Sequence, residues 1–345
     1  MSTLRVDNLT TLSGNGIAAD IASVSGAQLS NRNKVHNGDM RISQRYGTNA
    51  HTPSNSSRNY VIDRWAYWSN QASKASVQQV TDAPAGFYNS AKCTSLSAHT
   101  ADSGHWFGYL TTIEAQDIYD LAQGTANAKN ITLSFYVKSS ITGTWAAAIR
   151  TKPGSPSRSY PFNYTINSAN TWERKIITIP GSTDGTWLTG NNEGMTIWFD
   201  LGTGSGFHAS ANQWFSGNAT GPSASPFIAV NGATWLVTGV QLESGDLATS
   251  FEHRGIADEI MHCKRYYQKY ESLTCGYGSA NGYARSTHIL VPEMRSSPTR
   301  TVTIQAGEAG SLNSSAGDAK HLEVTWQSLS GVQTGDFDAI LEAEF

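Results

Sequence analysis

The sequence predicts an all-β protein. A β-sandwich over residues 35–254 is followed by a helix over 255–271 and a small β-domain over 272–345, with an extended segment, 1–34, in front. Three observations predict this. Charged residues make up 15% of the 345-residue chain, where about 25% is ordinary, while Ser, Thr, Asn and Gly (32) are plentiful. Apolar residues alternate in short runs, and Gly, Pro, Asn or Asp ends each run. No helical crossover separates the runs, which argues against a parallel α/β sheet.

Residues 1–34 contain no aromatic side chain. Leu4, Val6, Leu9 and Leu12 are thinly spaced, and Ile17, Ile21, Val24 and Leu29 follow at wider intervals. That is too little apolar surface for a core. The segment needs a partner chain or its own symmetry copies; the alternative is a disordered tail.

From Val35 onward strand patterns recur. "NITLSFYVKSS" sets Ile131, Leu133, Phe135 and Val137 on one face. "WERKIITIPG" brings Ile176, Ile177 and Ile179 before Pro180 and Gly181 stop it. "TWAAAIRTKPG", "GMTIWFDLGTGSG" and "PFIAVNGATWLVTGVQLESG" have the same form. Antiparallel strands of this kind pack as a sandwich, one face buried and one wet. A helical turn is expected in "TIEAQDIYDLAQG", with Ile113, Ile118 and Leu121 on one side.

"IADEIMHCKRYYQKY" is the clearest helix. Asp258 and Glu259 suit its first turn, and Lys264, Arg265 and Lys269 its last. Ile256, Ile260, Cys263, Tyr267 and Tyr270 are spaced as a heptad seam. The other reading is one helix face packed on a sheet. Alternation returns in "STHILVPEMRSSPTRTVTIQAG" and "HLEVTWQSLSGVQTGDFDAILEAEF", with "SLNSSAGDAK" as a loop between them.

Several function classes are disfavoured. Net charge is -3 and no basic stripe exists, so nucleic acid is not an expected partner. No stretch approaches the roughly 20 apolar residues of a membrane span, and the start lacks the apolar stretch of a secretory signal. Cys93, Cys263 and Cys275 are odd in number and irregular in spacing, which fits thiols made in a reducing cytosol. His262 and Cys263 are adjacent, so on a helix they diverge by about 100° and do not share a zinc ion. "GTGSG" at 202–206 is a turn-rich loop, since a phosphate cradle needs a strand before it and a helix after it. G-x-S-x-G and H-E-x-x-H motifs are absent, and no carboxylate pair stands out as a glycosidase would require. The chain is read as a non-enzyme.

Aromatic residues carry the binding expectation. Ten Trp and fourteen Tyr are many for this length. Rings stack on the C–H faces of sugars. Trp65, Trp145, Trp172, Trp198, Trp235 and Trp326 lie inside strand patterns and are expected in the core. Tyr160 and Phe162 in "PSRSYPFNY", Trp214 and Phe215 in "ASANQWFSGN", and Tyr277 and Tyr283 in "CGYGSANGYARS" are expected on loops. They are the candidate sugar platforms, since loops carry binding more often than strands do. Each could instead anchor a loop or meet another subunit.

Four stretches resemble tail-fibre and virion-surface proteins of tailed bacteriophages, especially those of cyanobacterial and marine phages. They are "NGDMRISQR" with "YVIDRWAYW"; "LSFYVKSSITGTW" with "NTWERKIITIPGSTDGTW"; "VTGVQLESGDLATSFEHRGIADEIMHCKRYYQKY"; and "ILVPEMRSSPT" with "DAILEAEF". "MSTLRVDNLTTLSG" is similar to the short virion-anchoring segments of such fibres. The resemblance implies a jelly-roll domain of carbohydrate-binding type and a homotrimer, with the seam above as its axis. It also implies contact with a host-surface glycan, polysaccharide or lipopolysaccharide, and no catalysis. Leu4, Val6, Leu9 and Leu12 would dock on another virion protein: tail hub, adaptor or capsid. The chain would be made in the host cytoplasm and reside on the virion. Jelly rolls of this type often hold one structural calcium. Asn37, Asp39, Asp200 and Glu243 are candidate ligands, and equally ordinary strand-end residues; no other cofactor is implied. Shaft repeats are missing, so the fibre would be short. A capsid decoration or head-fibre protein, and a short tailspike depolymerase, are the alternatives.

Overall fold

The computed structural model of the chain describes residues 31–151, 157–222, 227–277, 283–305, 310–328 and 333–345. Leu4, Val6, Leu9 and Leu12, the expected virion anchor, lie outside the described residues. The chain divides into two compact units, the first ending at His253 and the second running Arg254–Phe345.

The first unit is a jelly-roll β-sandwich. Its strands in chain order are β1 (Asn59–Ile62), β2 (Trp65–Ser69), β3 (Ala75–Val80), β4 (Ser90–Ser95), β5 (Phe107–Glu114) and β6 (Ile131–Ser139). Then come β7 (Gly143–Arg150), β8 (Arg158–Ile166), β9 (Glu173–Ile179), β10 (Glu193–Asp200), β11 (Phe215–Ser216) and β12 (Thr234–Ser244). One sheet runs β1-β2-β5-β10-β7-β8-β11 and the other β3-β4-β12-β6-β9. Every neighbouring pair is antiparallel. The turn after β5 is a 3-10 helix, Ala115–Leu121, that buries Ile118 and Leu121, as the sequence predicts.

Period-two alternation builds the core. Ile131, Leu133, Phe135 and Val137 of β6 all point inward, as do Tyr160, Phe162, Tyr164 and Ile166 of β8. Tyr160 and Phe162 are therefore core residues and not loop platforms. Pro161 disguised the strand. It is tolerated because β8 lies next to the sheet's edge, where only the two-residue β11 flanks it. The sheets meet at Trp235 of β12, whose ring lies 5.9 Å from Tyr109 and 5.3 Å from Phe199. β12 also carries a bulge between Thr238 and Gln241, where Gly239 takes φ +61° and a side chain would collide with Phe87.

Two amides tie the entry segment down: Asn33 donates to Val240 O and accepts from Leu242 N, and Asn37 bonds the turn that follows. Asn37 Nδ2 donates to the carbonyls of Ile42 and Asp63, both at 2.8 Å, and its Oδ1 accepts from Ile42 N at 3.0 Å. Asn37→Ala leaves these buried groups unpaired, so chemical denaturation is expected to show the first unit destabilised by about 1–3 kcal/mol.

The second unit opens on helix α1 (Ile256–Lys264) and continues as β13 (Tyr267–Tyr277), β14 (Tyr283–Ile289), β15 (Thr299–Ile304), β16 (Gly310–Gly317), β17 (His321–Ser328) and β18 (Gln333–Glu342). Two three-stranded sheets, β13-β18-β15 and β14-β17-β16, enclose a core around Leu322, Val324, Trp326, Phe337 and Leu341. Two expectations are corrected. The helix stops at Lys264 and not near 271, because from Tyr267 the chain pairs with β18, starting opposite Glu342. The aromatic and β-branched residues after Arg265 suit a strand. The heptad seam is therefore not one helical stripe: Ile256 is exposed, Ile260 and Tyr270 are half-buried, Cys263 and Tyr267 are buried, and the two tyrosines belong to β13. "SLNSSAGDAK" is no loop either; Ser311 to Gly317, the first seven of its residues, form β16 with Gly310, paired along β17.

Candidate functional site

The seven-stranded sheet carries apolar residues on both faces. Along β2, Trp65 and Tyr67 enter the core while Ala66 and Trp68 point the other way. Along β10, Ile197 and Phe199 point inward and Trp198 outward. Ala66, Leu110 and Trp198, with Tyr60, Trp68 and Trp106 against them, make a second cluster separate from the sandwich core.

Trp198 lies flat across β5 at Gly108, where a β-carbon would sit 2.2 Å from its Cζ2. On its other neighbour, β7, the residue beside it is Ala148. Small residues thus make the bed for the indole. The Arg150 guanidinium stands 4.2 Å from the Trp198 ring centre. Trp68 meets Trp198 edge-on at 6.1 Å and Trp106 at 6.0 Å, and Phe207 meets Trp106 at 5.9 Å.

Trp68, Trp106, Arg150, Trp198, Thr203, Phe207 and Asn218 line a pocket of about 140 Å³. Backbone ties hold its loops. Asn70 accepts from Trp106 N at 3.1 Å and donates to Gly104 O at 3.0 Å. Gly204 N donates to His105 O at 2.8 Å and Gly206 N to Ser103 O at 3.0 Å, which sets the Ser205–Phe207 turn. "GTGSG" is thus a pocket rim. Asp200 Oδ1 accepts from Gly202 N at 2.6 Å and Thr203 N at 2.8 Å.

Buried polar atoms in proteins are nearly always paired. Here Trp106 Nε1, Trp198 Nε1 and Asn218 Oδ1 are buried with no hydrogen-bond partner among the described residues. The pocket therefore offers two donors and one acceptor beside aromatic surface. Burial pushes the Arg150 pKa down to about 9, with Asp200 opposing the shift, so the guanidinium stays charged at neutral pH. Burial also raises the Asp200 carboxyl above the usual range, against its hydrogen bonds from Thr203 and Gly202.

The residues expected from sequence lie elsewhere. Trp214 is half-buried, donates to Pro180 O at 2.8 Å and packs on Tyr160 and Trp187, which makes it a loop anchor. Phe215 and Tyr283 are exposed, on β11 and β14 rather than on loops. Tyr277 closes β13, and its side chain lies outside the described residues. Trp172 is not core: it is half-buried and donates to Asp82 at 3.1 Å. A second cavity of about 330 Å³ is lined by Tyr119, Gln123, Trp187 and neighbours, and the Gln123 amide and the Trp187 N–H in it are occupied. Gln123 donates to Lys129 O and accepts from Ser182 N, and Trp187 donates to Asp184 O.

The calcium set does not converge. Asn37 spends its amide on Ile42 and Asp63, Asp39 pairs with Arg41, and Glu243 accepts from Gln241 and Thr249. Among the described residues no three His, Cys, Asp or Glu side chains are placed to hold a metal ion.

Sequence reading missed Trp68, Trp106, Arg150, Phe207 and Asn218, and assigned Trp198 to the core. The usable signal is "WAYW" and "TIWFD": bulky residues at both parities of a strand require both faces to be covered.

No protein-family model and no curated protein matches the chain. Among solved structures, 64% of it is similar to 22% of the chain of the enzymatically active domain of tailspike protein 4 from bacteriophage CBA120, at 15% identity and a TM-score of 0.35. It is also similar, over 59% of its length and 99% of the other, to a xylan-binding CBM22 domain from Paenibacillus barcinonensis, at 10% identity and a TM-score of 0.31. A third similarity covers 61% of this chain and 99% of a family 11 carbohydrate-binding module from Clostridium thermocellum, at 14% identity and a TM-score of 0.30.

Proposed function

We propose that this chain is a non-catalytic saccharide-binding protein and that the pocket on the seven-stranded sheet is its binding site. One observation carries the reading: unpaired indole N–H groups and an unpaired amide oxygen sit among Trp68, Trp106, Trp198 and Phe207. A sugar ring presents apolar C–H faces to such rings and hydroxyls to such polar groups. None of the lining residues is Asp or Glu. Glycoside hydrolysis by paired carboxylates needs two, so binding is favoured over cleavage.

The biological setting follows from the sequence resemblance. In this reading the protein is a short, trimeric tail fibre on a phage particle. Residues 1–34 dock on another virion protein, and the sandwich meets host-surface polysaccharide. A single site of this size binds weakly, and several copies raise the effective affinity by about 10²–10⁴. A capsid location would use the same pocket.

Calorimetry against host surface polysaccharide tests the binding. Trp68→Ala and Trp106→Ala are each expected to weaken it by roughly tenfold, taking about 1–2 kcal/mol per lost ring contact, while far-UV circular dichroism stays unchanged. Unaltered affinity in both variants would move the site elsewhere. Release of reducing ends by the wild-type protein would replace binding with depolymerisation, and a monomeric mass in solution would remove the trimer.

A further inference from the structure

Arg150 is a buried cation with no carboxylate in ion-pair contact among the described residues. Three other cations of the first unit have a carboxylate in contact: Lys34 with Asp120 at 2.9 Å, Arg58 with Glu193 at 3.1 Å, Lys175 with Glu173 at 2.6 Å. Arg150 is 6% exposed, and its Nε donates to the Ala219 carbonyl at 3.0 Å. Asp200 is near enough to favour its charge, yet forms no ion pair with it; its Oδ1 accepts from Gly202 and Thr203, and its Oδ2 is buried without a hydrogen-bond partner among the described residues. A desolvated cation is ordinarily paired with an anion, since otherwise the lost hydration is not replaced. Contact with the Trp198 face offsets part of that loss. Arg150 lines the pocket beside two unpaired indole N–H groups. Among the described residues the wall thus offers positive charge and donors, with Asn218 Oδ1 as an unpaired acceptor and no carboxylate in its lining.

We propose that the pocket selects saccharides bearing a carboxylate, the hexuronate units of acidic polysaccharides, with the Arg150 guanidinium as the ligand of that carboxylate. The proposal rests on the saccharide-binding reading above and narrows it. An arginine fork matches the two oxygens of a carboxylate. The tryptophans hold the ring, and Trp106 and Trp198 Nε1 donate to its hydroxyls.

The test titrates the full chain with oligomers of galacturonate, glucuronate and mannuronate, with the methyl ester of each, and with the neutral galactose, glucose and mannose oligomers. Esterification keeps the ring and removes the charge. At least one acid is expected to bind roughly tenfold or more tighter than its ester, the size of one charge-assisted hydrogen bond. Arg150→Gln should bring acid and ester to equal affinity, whereas Trp68→Ala should weaken both alike. Should Arg150→Gln fail to fold, Arg150→Lys keeps the charge without the fork and should retain part of the preference. Equal affinity of acid and ester for the wild-type chain, or tighter binding of neutral oligomers, overturns the acid selectivity and leaves saccharide binding standing. A preference that survives in Arg150→Gln overturns the role of Arg150. Binding of no oligomer in the panel sinks both readings.

Discussion

Trp235→Ala is expected to destabilise the first unit by about 3–5 kcal/mol, the cost of emptying a tryptophan's volume from a closed core. Trp235 is fully buried in the five-stranded sheet and reaches across to Tyr109 and Phe199 in the facing one. Its Nε1 donates to Tyr164 Oη at 3.1 Å, so truncation also leaves a buried hydroxyl without its partner. The lining cannot collapse easily, because both sheets hold their spacing through continuous antiparallel ladders. Trp235→Phe separates the two effects. It keeps most of the ring and loses the donor, for a cost of roughly 1–3 kcal/mol. Urea denaturation followed by tryptophan fluorescence measures both, and a cost below about 1 kcal/mol for the alanine variant would show that Trp235 does not join the sheets.

The fold was legible where one strand face is buried and the other wet. "NITLSFYVKSS" shows its inward residues directly, and β6 follows them. The pocket was illegible for the opposite reason. Trp65, Tyr67, Ile197 and Phe199 fill one face while Trp68 and Trp198 occupy the other, and alternation then cannot say which side is core. What distinguishes them is the outward neighbourhood: Leu110 and Ala148 pair beside Trp198, and Gly108 leaves room under its ring, a setting that exists only once β5, β10 and β7 are paired. Long-range pairing also explains the other differences. Helical periodicity in "IADEIMHCKRYYQKY" continues to Tyr270, but β18 captures the chain at Tyr267. Local propensity in "SLNSSAGDAK" favours a loop, and hydrogen bonding along β17 outweighs it. Pro161 hides β8 because its missing N–H matters little beside so short a neighbour as β11.

Gly108→Ala is expected to abolish saccharide binding while leaving the sandwich folded. The added β-carbon would lie 2.2, 2.3 and 2.5 Å from Cζ2, Cε2 and Cη2 of Trp198, so one of the two must move. The backbone cannot, since Gly108 sits in an inner strand opposite Trp68 on one side and Asp200 on the other. The indole must therefore lift towards the pocket, where Arg150 stands 4.2 Å from its ring. Overpacking of this kind costs about 1–3 kcal/mol, and the displaced ring fills the space a sugar would take. Thermal denaturation should show the lower stability, and calorimetry an affinity reduced by more than roughly tenfold. Trp198→Phe supplies the control. Its smaller ring makes room for the new methyl, so the double variant should be more stable than Gly108→Ala alone, a coupling of opposite sign to simple additivity. Affinity should stay low, because phenylalanine has no N–H to replace Trp198 Nε1. Wild-type affinity in Gly108→Ala would mean that the ligand does not meet Trp198 at all.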